Sequence, residues 1–203
     1  MNDIRPIKKQ LRQKYRSIRE NMPAAEKAGY DREIFLRVIS SPFYQRARSI
    51  LCFVSTEIEV DTKALIRRAL DDGKAVAVPK CLDRKGNMEF YRIHSLGELS
   101  PGEFALLEPD PERAVKWTDY RNSVCILPAF SFDREGYRLG FGMGYYDRFL
   151  HRFTGLKVGI CYNSCIAPEL PHGRFDVPAD YIVTQKYTLT VGKNLTSNKG
   201  DRV

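Results

Sequence analysis

The chain has 203 residues, 43% of them hydrophobic and 29% charged, with 14 Gly, 11 Pro and 5 Cys. That suits one domain with a substantial core of its own and excludes a disordered or fibrous chain. The net charge of +8 gathers at the two ends, with seven bases against two acids in residues 1–20 and a further excess after residue 185. The body between them is neutral, which argues against a nucleic-acid-coating protein; the basic end would meet a small anion or simply solvate a helix.

Residues 6–20 are predicted to form an amphipathic helix: Pro6 suits the first turn, and Ile7, Leu11, Tyr15 and Ile18 recur on one face. Lys8, Arg12 and Arg19 follow the same spacing one residue further round. A second helix is expected over 23–40, ended by Pro42. Ser49–Val54 is a buried strand, Asp61–Asp72 a helix with Asp61 or Thr62 as N-cap and Gly73 as its stop, and Lys74–Val78 another strand. Strand, helix, strand with short links is a βαβ unit, which requires parallel strands.

Further along, Met88–Ile93 alternates like an edge strand or hairpin arm. Val124–Leu127, Leu156–Tyr162 and Tyr181–Thr184 are further strands, with a helix around Tyr145–Phe153. The expected fold is a single three-layer α/β domain over 1–185, with a mostly parallel sheet flanked by helices and two helices opening the chain. Residues 186–203 are expected to form a flexible tail. In such folds ligands bind at the carboxyl ends of the strands.

The odd number of cysteines, three of them in apolar runs, fits buried free thiols rather than disulfides, and with only three histidines no zinc site is expected. A cytoplasmic location follows from that usage. No apolar run approaches the ~20 residues a membrane-spanning helix needs, so no membrane partner is expected.

The segment most suggestive of chemistry is residues 127–150. A strand leads into the turn Asp133-Arg134-Glu135-Gly136. Glycines follow at alternate positions, Gly140, Gly142 and Gly144, and then a helix start. Glycines let backbone approach a ligand closely, and a helix N-terminus presents unpaired N–H groups, so the two together can cradle a phosphate. The same pattern also serves as a tight turn under a sheet. Asp147 in the following turn can hold Mg²⁺ or complement the helix dipole, and Arg138 and Arg148 flank the loop. Glu59 and Asp61 follow the first strand, where a substrate-contacting acid or a capping pair would sit. Asp176 and Asp180 precede the last strand, where a turn with Pro178 is the commoner role for such residues. Neither a G-x-S-x-G elbow nor a cysteine–histidine pairing is evident, so any reaction must take its nucleophile from the substrate.

Taken in order, KKQLR (Lys8–Arg12), EVDT (Glu59–Thr62), GKAVAVPK (Gly73–Lys80), GEFALLEP (Gly102–Pro109), FDREGYRLGFGMGYYDRFL (Phe132–Leu150) and DVPADYIVT (Asp176–Thr184) resemble the 5-formyltetrahydrofolate cyclo-ligase family. The resemblance implies ATP- and Mg²⁺-dependent closure of 5-formyltetrahydrofolate to 5,10-methenyltetrahydrofolate by a monomer whose partners are small molecules. It implies ATP binding by Lys8, Lys9, Arg12, Arg138 and the run Gly140, Phe141, Gly142, Met143, Gly144, Tyr145 and Tyr146. Folate contacts would come from Arg12, Val54, Glu59 and the residues Phe141 to Tyr145. Arg138 and Tyr145 would be catalytic, and Asp147 and Asp180 would ligate magnesium. Met143 stands where relatives carry a basic residue, and Phe141 where they carry Tyr or Arg. The alternatives weighed beside this enzyme are a non-catalytic nucleotide-binding regulatory module and an RNA-binding protein using the basic first helix.

Overall fold

The computed structural model describes residues 4–102 and 106–192. Residues 103–105, part of the GEFALLEP motif, and 193–203, the end of the expected tail, lie outside them. The chain opens with α1 (Arg5–Glu20) and α2 (Ala24–Ile39). Pro42 stops α2 as expected but also begins a short helix, α3 (Pro42–Arg46), where Ser41 Oγ accepts the Tyr44 N–H at 3.2 Å. Proline is tolerated at the first helical position because its missing N–H would be unpaired there.

The central sheet has seven strands in the order β11-β10-β9-β6-β1-β2-β3. β1 (Ser49–Cys52), β2 (Ala75–Cys81), β6 (Ser123–Leu127), β9 (Leu156–Ile160) and β10 (Tyr181–Val183) run parallel to their neighbours within this set. Both edges are antiparallel. β3 (Met88–Ile93) pairs with β2, and β11 (Thr188–Thr190) pairs with β10. The sheet therefore continues past residue 185 into the stretch expected to be a flexible tail: Thr188 and Thr190 belong to the fold. Two small hairpins lie outside the main sheet, β4 (Leu99–Pro101) with β5 (Leu107–Pro109) and β7 (Ser131–Phe132) with β8 (Arg138–Leu139).

The strands are apolar on both faces because both faces are covered. Ile50, Cys52, Val76, Val78, Val124 and Ile126 join the core beneath α1, α2 and α4 (Lys63–Asp71). Their sequence neighbours Leu51, Ala77, Cys125 and Leu127 point the other way, to Phe90 and to Phe149 and Leu150 of α5 (Tyr145–Leu150). That alternation is the strand period made visible, and it establishes the three-layer α/β fold. Cys52, Cys125, Cys161 and Cys165 are buried free thiols. Among the described residues no helix is long and apolar enough to cross a membrane.

The connection that matters most for the site leaves β1. From Cys52 the chain runs through a turn into α4 and returns as β2 on one side of β1, whereas β6 lies on the other. Chain order reverses there, and the crevice above such a point is where ligands settle in open α/β sheets. Of the two expected caps for α4, Asp61 accepts the Lys63 N–H at 3.0 Å. Thr62 instead donates its hydroxyl to the Phe53 carbonyl at 2.7 Å and accepts the Ser55 N–H, locking the turn to the end of β1.

Candidate active site

A cavity of about 800 Å³ opens at the carboxyl ends of β1 and β6. Its floor includes Phe53, Val54 and Pro128, which directly follow those strands. The walls come from α1, the β5 strand, the glycine loop with α5, and the segment carrying Asp176.

Helix α1 gives the cavity one basic stripe. Arg5, Lys8, Arg12 and Arg16 line it, and their spacing puts them on one face of an α-helix. Lys9 is one position round from Lys8; it is exposed and does not line the cavity. Arg5 and Arg16 were missed, although the same periodicity would have found them. Arg12 Nε donates to the Gly140 carbonyl at 2.8 Å, fastening the glycine loop to the helix. Burial lowers the Arg12 guanidinium from its ordinary value.

The loop itself needs glycine where its backbone turns left-handed. Gly142 has φ +108° and Gly144 φ +71°, and the Gly142 α-carbon faces the Arg12 guanidinium. α5 starts immediately after Gly144 but holds only six residues, shorter than the helix expected around Tyr145–Phe153. So short a helix has little dipole, and the positive field here comes mainly from side chains. Phe141 and Met143 remain exposed at the mouth, and Arg148 Nη1 donates to the Met143 carbonyl at 2.8 Å.

Arg138, on β8, is buried beneath the loop. Its Nη1 donates to the Val177 carbonyl at 2.7 Å and its Nη2 to Asp147 Oδ1 at 2.5 Å. Burial lowers this guanidinium, and the negative charge of Asp147 opposes the shift. Asp147 also accepts the Val177 N–H at 3.2 Å on the same oxygen, which leaves Oδ2 without a hydrogen bond among the described residues.

The second aspartate at the site is Asp176. It accepts from Lys8 Nζ at 2.8 Å and from the Gly173 N–H at 3.0 Å, both on Oδ2. Burial alone would raise its pKa. The bonds from Lys8 and Gly173, with the charges of Lys8 and Arg138, outweigh that and hold the carboxyl below its ordinary value. Asp180, the expected partner of Asp147, is elsewhere. It precedes β10 and so sits at the amino end of the parallel strands, where its Oδ2 accepts the Lys157 N–H at 2.8 Å and pairs with Lys157 Nζ at 3.0 Å. The structure therefore does not bring Asp180 to Asp147: the carboxylate that joins Asp147 in the cavity lining is Asp176.

At the deeper end, Glu59 is 5% exposed and lines the cavity, its Oε2 accepting the Thr56 N–H at 2.8 Å and the Thr56 hydroxyl at 2.9 Å. Val54 also lines the cavity. The Tyr146 hydroxyl is buried and lacks a hydrogen-bond partner among the described residues, and burial pushes its pKa well above the ordinary phenol value. Tyr145 also lines the cavity, but its hydroxyl donates to the Asp83 carbonyl at 2.6 Å and so anchors the β2–β3 turn. Sequence reasoning also missed Glu108, a buried acid on β5 that accepts from Lys80 Nζ at 2.8 Å and from the Cys81 N–H at 3.2 Å. Glu108 became recognisable only once β5 was seen to fold over β2.

The arrangement is cationic around the glycine loop, carries two carboxylates on one wall, and is acidic and apolar at its depth. Residues 4–185 match the model of the 5-formyltetrahydrofolate cyclo-ligase family. The chain belongs to that family. It is 26% identical over 203 aligned residues to a probable 5-formyltetrahydrofolate cyclo-ligase of Caenorhabditis elegans, covering 93% of this chain and 98% of the relative. It is 31% identical over 152 residues to the 5-formyltetrahydrofolate cyclo-ligase of Escherichia coli, covering 73% and 84%. Among solved structures it resembles the NMR structure of 5,10-methenyltetrahydrofolate synthetase from Aquifex aeolicus, with a TM-score of 0.80 and 31% identity over 97% of this chain and all of that one. As a cyclo-ligase family member the chain is an enzyme of the ligase class, which sets aside the non-catalytic module.

Proposed function

We propose that this cyclo-ligase family member converts 5-formyltetrahydrofolate to 5,10-methenyltetrahydrofolate at the expense of ATP, with Mg²⁺. The observation that carries the reading is a single cavity joining a cationic, glycine-lined end to a deep end that presents Glu59.

The substrate supplies both nucleophiles. The formyl oxygen attacks the γ-phosphoryl group and ADP leaves. The folate's N10 then attacks the formyl carbon, and phosphate departs with what was the formyl oxygen. N10 loses its proton and the ring is closed. The work left to the protein is positioning and charge neutralisation, which in well-oriented intramolecular reactions is worth effective molarities of about 10⁵ M or more.

Lys8, Arg12 and Arg138 are placed to meet the triphosphate charge, and the Gly140–Gly144 backbone lets it approach. Asp147 and Asp176 suit magnesium as hard oxygen donors, each keeping one carboxylate oxygen without a hydrogen bond among the described residues. No cluster of three or more His, Cys, Asp or Glu ligands assembles among those residues, which fits an ion that takes most of its ligands from phosphates and water. When bound, magnesium neutralises phosphate charge as the γ-phosphoryl group transfers. Glu59, buried and facing the cavity, suits the N–H-rich edge of the pteridine ring.

The test is near-ultraviolet absorbance of methenyltetrahydrofolate formed by the purified protein. Signal that requires 5-formyltetrahydrofolate, ATP and Mg²⁺ together is expected. A folded, ATP-binding sample that gives no signal would overturn the reading.

A further inference from the structure

Glu59 projects from a turn whose backbone is clamped from below. Tyr162, just past the end of β9, is fully buried. Its hydroxyl lies 2.8 Å from Asp31 Oδ1 and 3.2 Å from the Glu59 carbonyl oxygen. Asp31, on α2, also accepts the Asp61 N–H on Oδ1 at 3.2 Å, and its other oxygen takes Lys27 Nζ at 2.7 Å. The peptides on either side of Val60 are thus tied to β9 and to α2. The Glu59 side chain leaves in another direction, to Thr56 and the cavity.

We propose that Tyr162 and Asp31 are positioning residues for the folate, fixing the Glu59 backbone so that its carboxylate meets the bound ring. The inference rests on Glu59 being the ring's partner in the proposed function. The geometry supports it in two ways. Among the described residues, the hydrogen bonds that orient the Glu59 carboxylate come from Thr56, three residues away in the same turn, so they move with the turn and cannot by themselves set its place in the cavity. The tyrosine hydroxyl has one proton for two acceptors, and removing it loosens the Asp31 and Glu59 ends together.

The experiment measures KM for both substrates, with thermal midpoints, in wild type, Tyr162→Phe, Asp31→Ala, Asp31→Asn, Glu59→Gln and the double variant Tyr162→Phe/Glu59→Gln. Tyr162→Phe and Asp31→Ala are each expected to raise KM for 5-formyltetrahydrofolate about fivefold, the scale of one net hydrogen bond, and to leave KM for ATP within about twofold. Asp31→Asn keeps an acceptor oxygen for both Tyr162 and Asp61, and should recover most of the loss. In the Glu59→Gln background Tyr162→Phe should add nothing further to the folate KM, because the group being positioned has already been changed.

Equal shifts in both KM values, full additivity with Glu59→Gln, or an unchanged folate KM would each overturn the positioning role. If Tyr162→Phe fails to fold, the Asp31 pair decides the same question. Wild-type protein that never forms the methenyl product removes the proposed function and this inference together. Active wild type with unaffected variants removes the inference alone.

Discussion

Lys8 Nζ donates to Asp176 Oδ2 at 2.8 Å, joining the first helix to a segment 168 residues further along the chain. The contact closes one wall of the cavity. It also places a carboxylate beside the basic stripe of α1, within reach of the field of Arg138. The motif DVPADYIVT thus contributes to the site through its first aspartate, and its second holds Lys157 at the other end of the sheet.

That difference is directly measurable. Asp176→Ala is expected to lower kcat/KM by about 10- to 100-fold, as loss of a group that orients or ligates an ion does. Asp180→Ala should leave kcat/KM within about threefold and act mainly on the thermal midpoint, since an ion pair with a partly exposed lysine contributes little. Steady-state kinetics with Mg²⁺ titration compares the two, and the reverse ranking would favour Asp180 as the metal ligand.

Arg138 bridges Asp147 and the Val177 carbonyl with two nitrogens of one guanidinium. A lysine offers a single point charge and cannot reproduce that fork. Arg138→Lys is therefore expected to cost about tenfold or more in kcat/KM, with a destabilisation of about 1–3 kcal/mol from the buried partner left underbonded. Kinetics and urea denaturation read both effects, and wild-type behaviour would count against the fork.

Gly142 adopts φ +108°, and a β-carbon there would lie 3.4 Å from the Arg12 guanidinium carbon. The space is tolerable and the backbone angle is not. Gly142→Ala should thus destabilise by about 1–3 kcal/mol and raise KM for ATP. An alanine variant with an unchanged thermal midpoint would show that the loop relaxes freely.

The Asp176 carboxyl titrates below its ordinary value, which has a defined consequence for stability. A depressed folded-state pKa adds stability that is present above the unfolded pKa, about 3.9, and is lost as pH falls through the folded pKa. Wild type should exceed Asp176→Asn in stability at neutral pH, and the gap should close below about pH 4. Denaturation at pH 7 and in acid tests the sign, and a gap that widened in acid would refute it.

Much of this molecule follows from local pattern. The short apolar runs around Ile50, Val76, Val124 and Val158 read as strands buried on both faces, and are strands in the central sheet. The alternate glycines before Tyr145 mark a backbone that must turn left-handed, and the spacing of Lys8 and Arg12 puts both on one helical face. Local pattern was silent on Thr188–Thr190, which is polar and short and becomes a strand only because β10, just before it in the chain, offers an open edge for a hairpin.

What the amino-acid order determined alone was the set of buried strands, their parallel βαβ beginning and the presence of a glycine loop beside acids and bases, because these depend on periodicity and on conformations only certain residues adopt. Which aspartate faces the cavity, that Glu108 lies in its wall, and that Tyr162 and Asp31 underlie Glu59 were decided by the tertiary structure. Asp176 and Asp180 are chemically alike and four positions apart in an irregular segment, so no period distinguishes them. Only the packing of that segment against Lys8 on one side and Lys157 on the other assigns each its place.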